Sequence, residues 1–290
     1  MTNTHPPAQT AAKPEFASDH ASQASAKNRQ TERVRHTLHM RRVEVVHTER
    51  ITPHLIRITV AGDALSGFTS PGFDDHAKLF FPDPETGALT LPTVSSDGKI
   101  DWGESERPQA RDYTPRQFDA QTNTLTLDFA LHQAGPATAW AERAKQGDAL
   151  GVAGPRGSFL IPTDFDWHLL VGDDTGLPAI WRRLQELPTD ANALVVVEVD
   201  SPADQVPLPS AAQVRVVWAY RQEGRAAPLL DAVRAQDFPS GDFYAWVACE
   251  SLAAKAIREH LVTERQANPR WVRASGYWRK GAAATHETHE

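Results

Sequence analysis

Residues 167–187, WHLLVGDDTGLPAIWRRLQEL, contain an apolar run, a turn rich in glycine and aspartate, and an amphipathic segment. This order predicts a strand, a tight turn and a helix. The apolar run at 193–200, ALVVVEVD, is typical of a strand covered on both faces. Strands that alternate with helices indicate a parallel sheet in an α/β domain. Further strands are predicted at 214–220, 243–249 and 271–281, and helices at 227–236 and 251–266, the last with Ser251 as its N-cap.

The upstream half of the chain has a different pattern. Between residues 40 and 162, short β-branched or aromatic runs are separated by Gly, Pro, Asp and Asn, which predicts an antiparallel six-stranded β-barrel. The runs are 43–48, 55–62, 77–82, 88–92, 124–131 and 148–155. One helix is expected at 135–147. The predicted fold is therefore α+β with two domains, a β-barrel domain over 37–162 and an α/β domain with a parallel sheet over 163–283.

Both ends of the chain lack apolar periodicity. Residues 1–36 predict a disordered N-terminal extension, and residues 284–290 predict a flexible tail. Two tail histidines, His286 and His289, could share a helix face, but a tail without structured context predicts solvated histidines and no metal site. A basic run fits either a solvated lead-in to the first strand or a contact with a membrane surface. Its members are Arg33, Arg35, Arg41 and Arg42.

Composition excludes several classes of protein. The 290 residues include 30 Lys and Arg against 37 Asp and Glu, and this acidic balance argues against a dedicated nucleic-acid binder. A single cysteine excludes an intramolecular disulfide and a Cys-rich metal site. No apolar run approaches the roughly 18–20 residues that cross a bilayer, and the N-terminus lacks the apolar core of a signal peptide. The expected location is therefore the cytoplasm.

The segment RDYTPR at 111–116 concentrates polar chemistry on one strand. Arg111 and Tyr113 would share one face of that strand, with Thr114 on the other. A guanidinium binds a diphosphate through paired hydrogen bonds, and a phenol ring stacks on a flat heterocycle. Pro115 favours extended backbone at Thr114. The segment predicts a nucleotide-cofactor site, and the alternative is a surface strand with scattered charges.

Seven segments occur in a specific order: GFDDHAKLFFP, RDYTPR, LDFALHQAGPATAWAERAKQGD, GVAGPRGSF, VGDDTGLPAI, WVACES and GYWRKG. Together they span about residues 72–281. This ordered set resembles the siderophore-interacting proteins, which are flavin-dependent ferric-siderophore reductases related to the ferredoxin-reductase superfamily. The resemblance implies FAD bound mainly by the barrel, a second domain of the nicotinamide-binding type and ferric chelates as electron acceptors. It also favours a monomer.

The resemblance implies roles for residues around the FAD. Arg111 would pair with the diphosphate, Tyr113 would stack near the flavin and ribityl chain, and Thr114 would hydrogen-bond near flavin N5. His132 aligns with the family histidine near the FAD phosphates. The remaining implied FAD contacts are the helix start at Ala137 and Thr138, the loop residues Gly154, Gly157 and Ser158, and the aromatics Tyr277 and Trp278. A helix start binds anions through its backbone N–H groups. The two aromatics could instead anchor the C-terminus.

The second domain lacks the GxGxxG fingerprint. The family uses its strand-turn-helix on the nicotinamide side, and the residues implied there are Gly172, Asp173, Thr175, Cys249 and Glu250. The alternative is a helix start, capped by Thr175, that only packs on the sheet. Asp200 could bind a ribose hydroxyl, whereas Arg221 and Arg225 could hold a 2′-phosphate, so NADH and NADPH are not distinguished. Cys249 occupies a position where the family commonly has Gly, and it has no evident partner base.

Four cations are candidates for binding the acceptor: Lys78, Arg156, Arg279 and Lys280. Their local field could attract an anionic ferric siderophore despite the net charge of −7, although each could also be an ordinary solvated side chain. No residue is required as an obligatory acid or base. The predicted function is electron transfer from NAD(P)H, or a ferredoxin, through FAD to a ferric siderophore. The alternatives are a flavin reductase with another acceptor and a non-catalytic siderophore-binding protein.

Overall fold

A computed structural model describes residues 29–95, 99–104, 106–131, 135–221, 227–281 and, for the backbone, 287–289. The helices are α1 (Pro136–Arg143), α2 (Leu177–Glu186), α3 (Pro228–Arg234) and α4 (Ser251–Glu259). The strands of the first half are β1 (Glu32–Arg35), β2 (Met40–Thr52), β3 (Leu55–Ala61), β4 (Ala77–Phe80), β5 (Thr93–Val94), β6 (Ile100–Asp101), β7 (Ala110–Tyr113), β8 (Gln117–Asp119), β9 (Thr124–Ala130), β10 (Ala149–Ala153) and β11 (Gly157–Leu160). Those of the second half are β12 (Trp167–Asp173), β13 (Asn192–Val199), β14 (Gln213–Tyr220), β15 (Phe243–Glu250), β16 (Val272–Trp278) and β17 (Glu287–His289).

The first half forms an antiparallel sheet in the order β7-β4-β10-β2-β3-β9-β8, which curls into a half-barrel. Alternate residues such as Ile58 on β3 and Leu127 on β9 are fully buried in its core, as the period of a strand requires. The sheet has seven strands and not the six predicted. Proline cannot continue a hydrogen-bonded ladder, and Pro115 accordingly lies between the two short edge strands β7 and β8.

One predicted strand of the half-barrel is wrong. Residues 88–92 form no strand, and the apolar side chain of Leu91 packs on the sheet instead. A methyl group added at Gly151 on β10 would lie 2.4 Å from a side-chain carbon of Leu91. Leu91 therefore packs over the glycine of a neighbouring strand, and its segment covers the sheet without joining it.

The second half confirms the predicted α/β architecture. The sheet order is β14-β13-β12-β15-β16-β17, and all its strand pairs are parallel except β16 with β17. Every residue of β12 is buried, as expected for a central strand covered on both faces. Helix α2 contributes to the apolar core on one face, and α3 and α4 contribute to the core on the other.

The starts of two helices differ from the predictions. Thr175 does not cap α2, because Gly176 is the N-cap and the Thr175 N–H donates to Asp173 Oδ1 at 2.9 Å. The carboxylate of Glu250 caps α4 in place of the predicted Ser251, accepting from the backbone N–H of Leu252 at 2.7 Å. Ser251 is buried instead, against Gly276 of strand β16.

The N-terminal arm is more ordered than predicted. Strand β1 lies within the expected disordered extension over 1–36, yet it pairs antiparallel with β11. The Arg29 side chain is 9% exposed, and it forms ion pairs with Asp166 and Asp242 of the second half. Arg41 of the basic run is also buried and donates to the Gly154 carbonyl at 3.0 Å, which removes it from any membrane-surface contact. Residues 1–28 lie outside the described residues.

Buried polar contacts join the half-barrel to the parallel sheet. Asp74 accepts from Arg273 Nε at 2.7 Å and from Trp246 Nε1 at 3.3 Å, so a barrel loop is bound to β15 and β16. Arg182 on α2 donates to the Ser70 hydroxyl and the Pro115 carbonyl, each at 2.9 Å. These contacts fix the RDYTPR turn against the second half. Within the described ranges, no helix is long and apolar enough to span a membrane.

Candidate functional site

The RDYTPR strand is tied to helix α1 by aromatic side chains. The Tyr113 ring lies 4.4 Å from the ring of Phe129 on β9, measured between centroids. Phe129 in turn lies 5.7 Å from Trp140 on α1. Burial raises the pKa of Tyr113 and keeps its phenol neutral. These ring contacts therefore join β7 and helix α1 to the same apolar core.

Helix α1 begins without a cap from any described side chain. Its N-cap, Gly135, has extended backbone and contributes no side chain, and Pro136 at the first turn has no N–H to satisfy. A methyl group added at Gly135 would meet no described residue within 4 Å, so none of the described side chains covers this end of the helix. The backbone N–H groups of Ala137 and Thr138 lie in this first turn, where a helix attracts anions.

The groups on β7 and at the start of α1 suit the parts of a flavin dinucleotide. Arg111 supplies a guanidinium whose side chain donates only to its neighbouring Ala110 carbonyl, at 2.7 Å, among the described residues. A guanidinium, a helix start and an aromatic ring match a diphosphate joined to a flat heterocycle. The predicted FAD contact His132 lies outside the described residues, as do residues 133 and 134.

Thr114 and the closing strand meet at the junction of the two halves. Thr114 is buried, and its side chain is hydrogen-bonded to Tyr277 at the end of β16. Trp278 donates through Nε1 to Asp173 Oδ2 at 2.7 Å, which joins the ends of β16 and β12. The structure thus brings together Thr114, Tyr277, Trp278 and Asp173, which lie far apart in the sequence. Both aromatic side chains are therefore hydrogen-bonded at this junction.

Residues predicted to bind FAD from the β10–β11 loop also make contacts within the protein itself. Gly154 has a φ of 83°, which favours glycine, and it lies two residues before Arg156, whose side chain is exposed. A methyl group at Gly157 would lie 2.7 Å from the Val34 carbonyl, so this glycine serves the pairing with β1. Ser158 is 6% exposed and donates to Asp75 Oδ2 at 2.6 Å. Its hydroxyl also lies 2.8 Å from His36 Nε2.

The residues predicted on the nicotinamide side have clear packing roles. A methyl group at Gly172 would lie 3.0 Å from the Ala248 carbonyl, so this glycine allows β12 to approach β15 closely. Cys249 is 1% exposed, and burial raises the pKa of its thiol well above the usual value. A buried neutral thiol is not a nucleophile. The Glu250 carboxylate both caps α4 and accepts from the Lys280 N–H at 3.3 Å.

Arg221 is engaged by carboxylates and is not available for a 2′-phosphate in this arrangement. It binds Asp174 at 3.0 Å, Glu198 at 3.0 Å and Asp200 at 2.8 Å. Burial lowers the pKa of Arg221, but the adjacent carboxylates, Asp174 first, raise it well above its usual value. Asp200, the predicted ribose ligand, belongs to the same cluster. Arg225 lies outside the described residues.

The candidate substrate cations lie at the surface. Lys78 is half-exposed and forms an ion pair with Asp112 at 2.8 Å, which partly neutralises its charge. It lies opposite Ala153 in the sheet register, at the end of β10 from which the loop carrying Arg156 begins. Arg279 and Lys280 are exposed after the end of β16.

Sequence reasoning missed the polar residues of the junction. Asp74, Asp75 and Arg182 lie within or beside the recognised segments, but each has a partner more than 60 residues away, namely Trp246, Ser158 and Pro115 respectively. Arg116, the last residue of RDYTPR, stacks on Trp181 with its guanidinium carbon 3.8 Å from the ring centroid. The only available signal was the presence of charged residues in otherwise apolar segments.

Comparisons with known proteins agree with this geometry. Residues 44–159 match the siderophore-interacting FAD-binding domain, and residues 165–281 match the siderophore-interacting protein family. The chain is 39% identical to the NADPH-dependent ferric-chelate reductase of Escherichia coli, over 86% of this chain and 97% of that protein. It is 34% identical to the ferric vibriobactin reductase ViuB of Vibrio cholerae, over 83% of this chain and 90% of that protein.

A solved structure shares both the fold and the sequence pattern. The crystal structure of a siderophore utilization protein from T. fusca superposes with a TM-score of 0.81 and 38% identity, covering 88% of this chain and 98% of that chain. The agreement spans the half-barrel, the parallel sheet and the segments that join them. This chain therefore belongs to the siderophore-interacting protein family.

Proposed function

We propose that this protein reduces ferric siderophores, with FAD held mainly on the half-barrel and a nicotinamide nucleotide as the electron donor. The observation that carries the proposal is the start of α1, which the aromatic contacts of Tyr113 place on the same core as the Arg111 strand. The names of the Escherichia coli and Vibrio cholerae relatives support a ferric chelate as the acceptor. The cytoplasm, where nicotinamide nucleotides are abundant, is the proposed location.

Each proposed ligand of the FAD has a separate task. Arg111 and the N–H groups of Ala137 and Thr138 would hold the diphosphate, because both offer donors to an anion. Tyr113 would pack beside the flavin, and Thr114 would offer its hydroxyl while Tyr277 orients it. When bound, FAD accepts a hydride from a nicotinamide and supplies single electrons to iron(III). The chain itself positions the partners and needs no residue that exchanges a proton.

The exposed cations are proposed to attract the ferric chelate. Arg156, Arg279 and Lys280 lie at the surface, and Lys78 is partly neutralised by Asp112. Local fields of this kind act on an anionic chelate within about one Debye length, roughly 8–10 Å. The net charge of the whole protein therefore matters less than these few groups.

Removing three of these cations should weaken binding of anionic chelates. We expect the Lys78→Gln/Arg156→Gln/Arg279→Gln variant to raise KM for a tris-catecholate chelate by roughly tenfold at low salt, with FAD content unchanged. Steady-state kinetics with trapped iron(II) measure this. The matched control is a neutral ferric chelate, for which KM should hardly change. An unchanged KM for the anionic chelate would remove the proposed cationic site.

The donor is identified by anaerobic titration of the flavin absorbance with NADH, NADPH or reduced ferredoxin. We expect a nicotinamide nucleotide to bleach the absorbance near 450 nm within the time of one turnover. Bleaching by ferredoxin alone would overturn the proposed donor while leaving the proposed acceptor intact. A reduced flavin that is reoxidised by a haem protein, but not by a ferric siderophore, would overturn the proposed acceptor.

A further inference from the structure

Helix α2 lies between the turn predicted on the nicotinamide side and the strand predicted to hold the FAD. Its N-cap, Gly176, directly follows that turn, and a methyl group added at this glycine would lie 2.8 Å from the Ala248 carbonyl. The start of the helix is therefore packed closely on strand β15. About 9 Å further along the helix axis, at a rise of about 1.5 Å per residue, the helix carries Arg182.

The Arg182 guanidinium donates to three oxygens of the half-barrel. Its Nη1 donates to the Pro115 carbonyl and the Ser70 hydroxyl, each at 2.9 Å, and its Nη2 donates to the Ser70 carbonyl at 2.5 Å. The Ser70 hydroxyl in turn donates to the buried carboxylate of Asp75 at 3.0 Å. Burial lowers the pKa of Arg182, whereas the nearby carboxylates, Asp75 first, favour its charged form. One charged side chain thus joins two separate barrel segments to a helix of the second half.

The carbonyl that accepts from α2 belongs to the residue after Thr114. The next residue, Arg116, is held from two sides. Its backbone N–H donates to the Thr126 carbonyl of β9 at 3.0 Å, and its guanidinium stacks on Trp181, which precedes Arg182 on α2. The turn that follows Thr114 is therefore fixed between the barrel sheet and α2. A shift of the helix would change the distance between this turn and the second half.

We propose that Arg182 is a positioning residue that sets the separation between the nicotinamide turn and the Thr114 segment, and thereby controls hydride transfer across the junction. This inference rests on the proposed function, because it needs FAD on the half-barrel and a nicotinamide nucleotide at the start of α2. In that transfer a C–H bond of the reduced nicotinamide breaks, its hydrogen and both bonding electrons pass to flavin N5, and the nucleotide leaves oxidised. Arg182 exchanges no proton or electron. A misplacement of about 1 Å can slow such a reaction about 100-fold.

Anaerobic stopped-flow reduction of the FAD-loaded protein tests this role. We expect Arg182→Met to slow reduction by a saturating nicotinamide nucleotide at least roughly tenfold, because α2 is no longer bound to the Pro115 carbonyl. Reduction by dithionite and reoxidation by a ferric chelate should stay within about threefold of the parent rates, since neither reaction uses the nicotinamide turn. Arg182→Lys keeps the charge without the planar fork and should fall between the two. Arg270→Met, at an exposed arginine of the second half, is the matched control and should react like the parent.

A second measurement separates positioning from a loss of the FAD site. The dissociation constant for FAD, measured by flavin fluorescence on the flavin-free protein, should change less than about threefold in Arg182→Met. A loss of FAD affinity larger than about tenfold would assign Arg182 to FAD binding and overturn the inference.

The remaining outcomes distinguish this inference from the proposed function. Reduction of Arg182→Met by the nicotinamide nucleotide at the parent rate, or equal slowing with nucleotide and dithionite, would overturn the role of Arg182 alone. If the methionine variant does not fold, Arg182→Lys takes its place, and parent rates there would overturn the inference in the same way. A parent protein that binds FAD but is reduced by no nicotinamide nucleotide would instead overturn the proposed donor.

Discussion

Replacing Arg111 with alanine should release most of the FAD from the purified protein. The guanidinium is proposed to pair with the diphosphate beside the start of α1, and hydrogen bonds between charged groups contribute about 2–3 kcal/mol. The dissociation constant for FAD should rise roughly 30- to 160-fold. Absorbance near 450 nm per mole of protein, before and after dialysis, measures the loss. Arg111→Lys keeps the charge without the planar fork and should fall between the parent and the alanine variant.

The structure allows this effect to be separated from misfolding. Among the described residues, the Arg111 side chain donates only to the adjacent Ala110 carbonyl, so its removal breaks no contact between elements. Thermal unfolding of the flavin-free Arg111→Ala protein should match that of the flavin-free parent. Arg42→Ala, at an exposed position on β2 of the same sheet, is the matched control and should retain FAD. If Arg111→Ala purifies with a full complement of FAD, the proposed diphosphate site is wrong.

Replacing Asp74 with alanine should cost about 3–5 kcal/mol of unfolding free energy. The Asp74 side chain is 5% exposed and neutralises Arg273 while it also accepts from Trp246. Its loss leaves a largely buried guanidinium without an anion at the junction of the two halves. Urea denaturation, followed by far-ultraviolet circular dichroism, measures the change. The Asp74→Ala/Arg273→Met double variant should recover part of the stability, because no unpaired charge remains.

An exposed ion pair provides the comparison. Asp112 binds Lys78 at 2.8 Å, but Lys78 is half-exposed, so Asp112→Ala should cost less than about 1 kcal/mol. The difference between the two alanine variants isolates the effect of burial. Equal losses for Asp74→Ala and Asp112→Ala would show that the junction contact does not stabilise the protein in the way proposed.

The two architectures could be predicted from the sequence because each has its own periodicity. The continuous apolar run of β13 predicted a strand that is covered on both faces, and the structure buries most of its residues. The similar run of β14 was expected to be covered in the same way, but β14 is an edge strand and most of its residues are only partly buried. The existence of single strands and the residues at which helices begin were less predictable. The strand expected at 88–92 failed because Leu91 packs over Gly151, a contact that alternation along one segment cannot encode. The N-cap of α4 was placed one residue late because Ser251 is a better capping residue in isolation than Glu250.

The candidate site was only partly predictable, because several of its contacts join residues that are distant in the sequence. The RDYTPR segment stood out because its residue types are concentrated within six positions. Its last residue, Arg116, depends on Trp181 and Asp128, which come from a helix and a strand distant in sequence. Likewise, Ser158 resembled a loop ligand, but its hydroxyl is used by Asp75. Spacing identifies which residues carry chemistry, whereas only the tertiary structure shows which of them are already engaged.

An anaerobic double-mixing experiment tests most directly whether electrons pass through FAD on this protein to chelated iron. The protein is first reduced with a nicotinamide nucleotide and then mixed with a ferric siderophore. We predict that absorbance near 450 nm returns at the same rate at which trapped iron(II) appears, with two irons reduced per flavin. A purified chain that binds no FAD, or a reduced flavin that stays bleached in the presence of the ferric siderophore, would contradict the account.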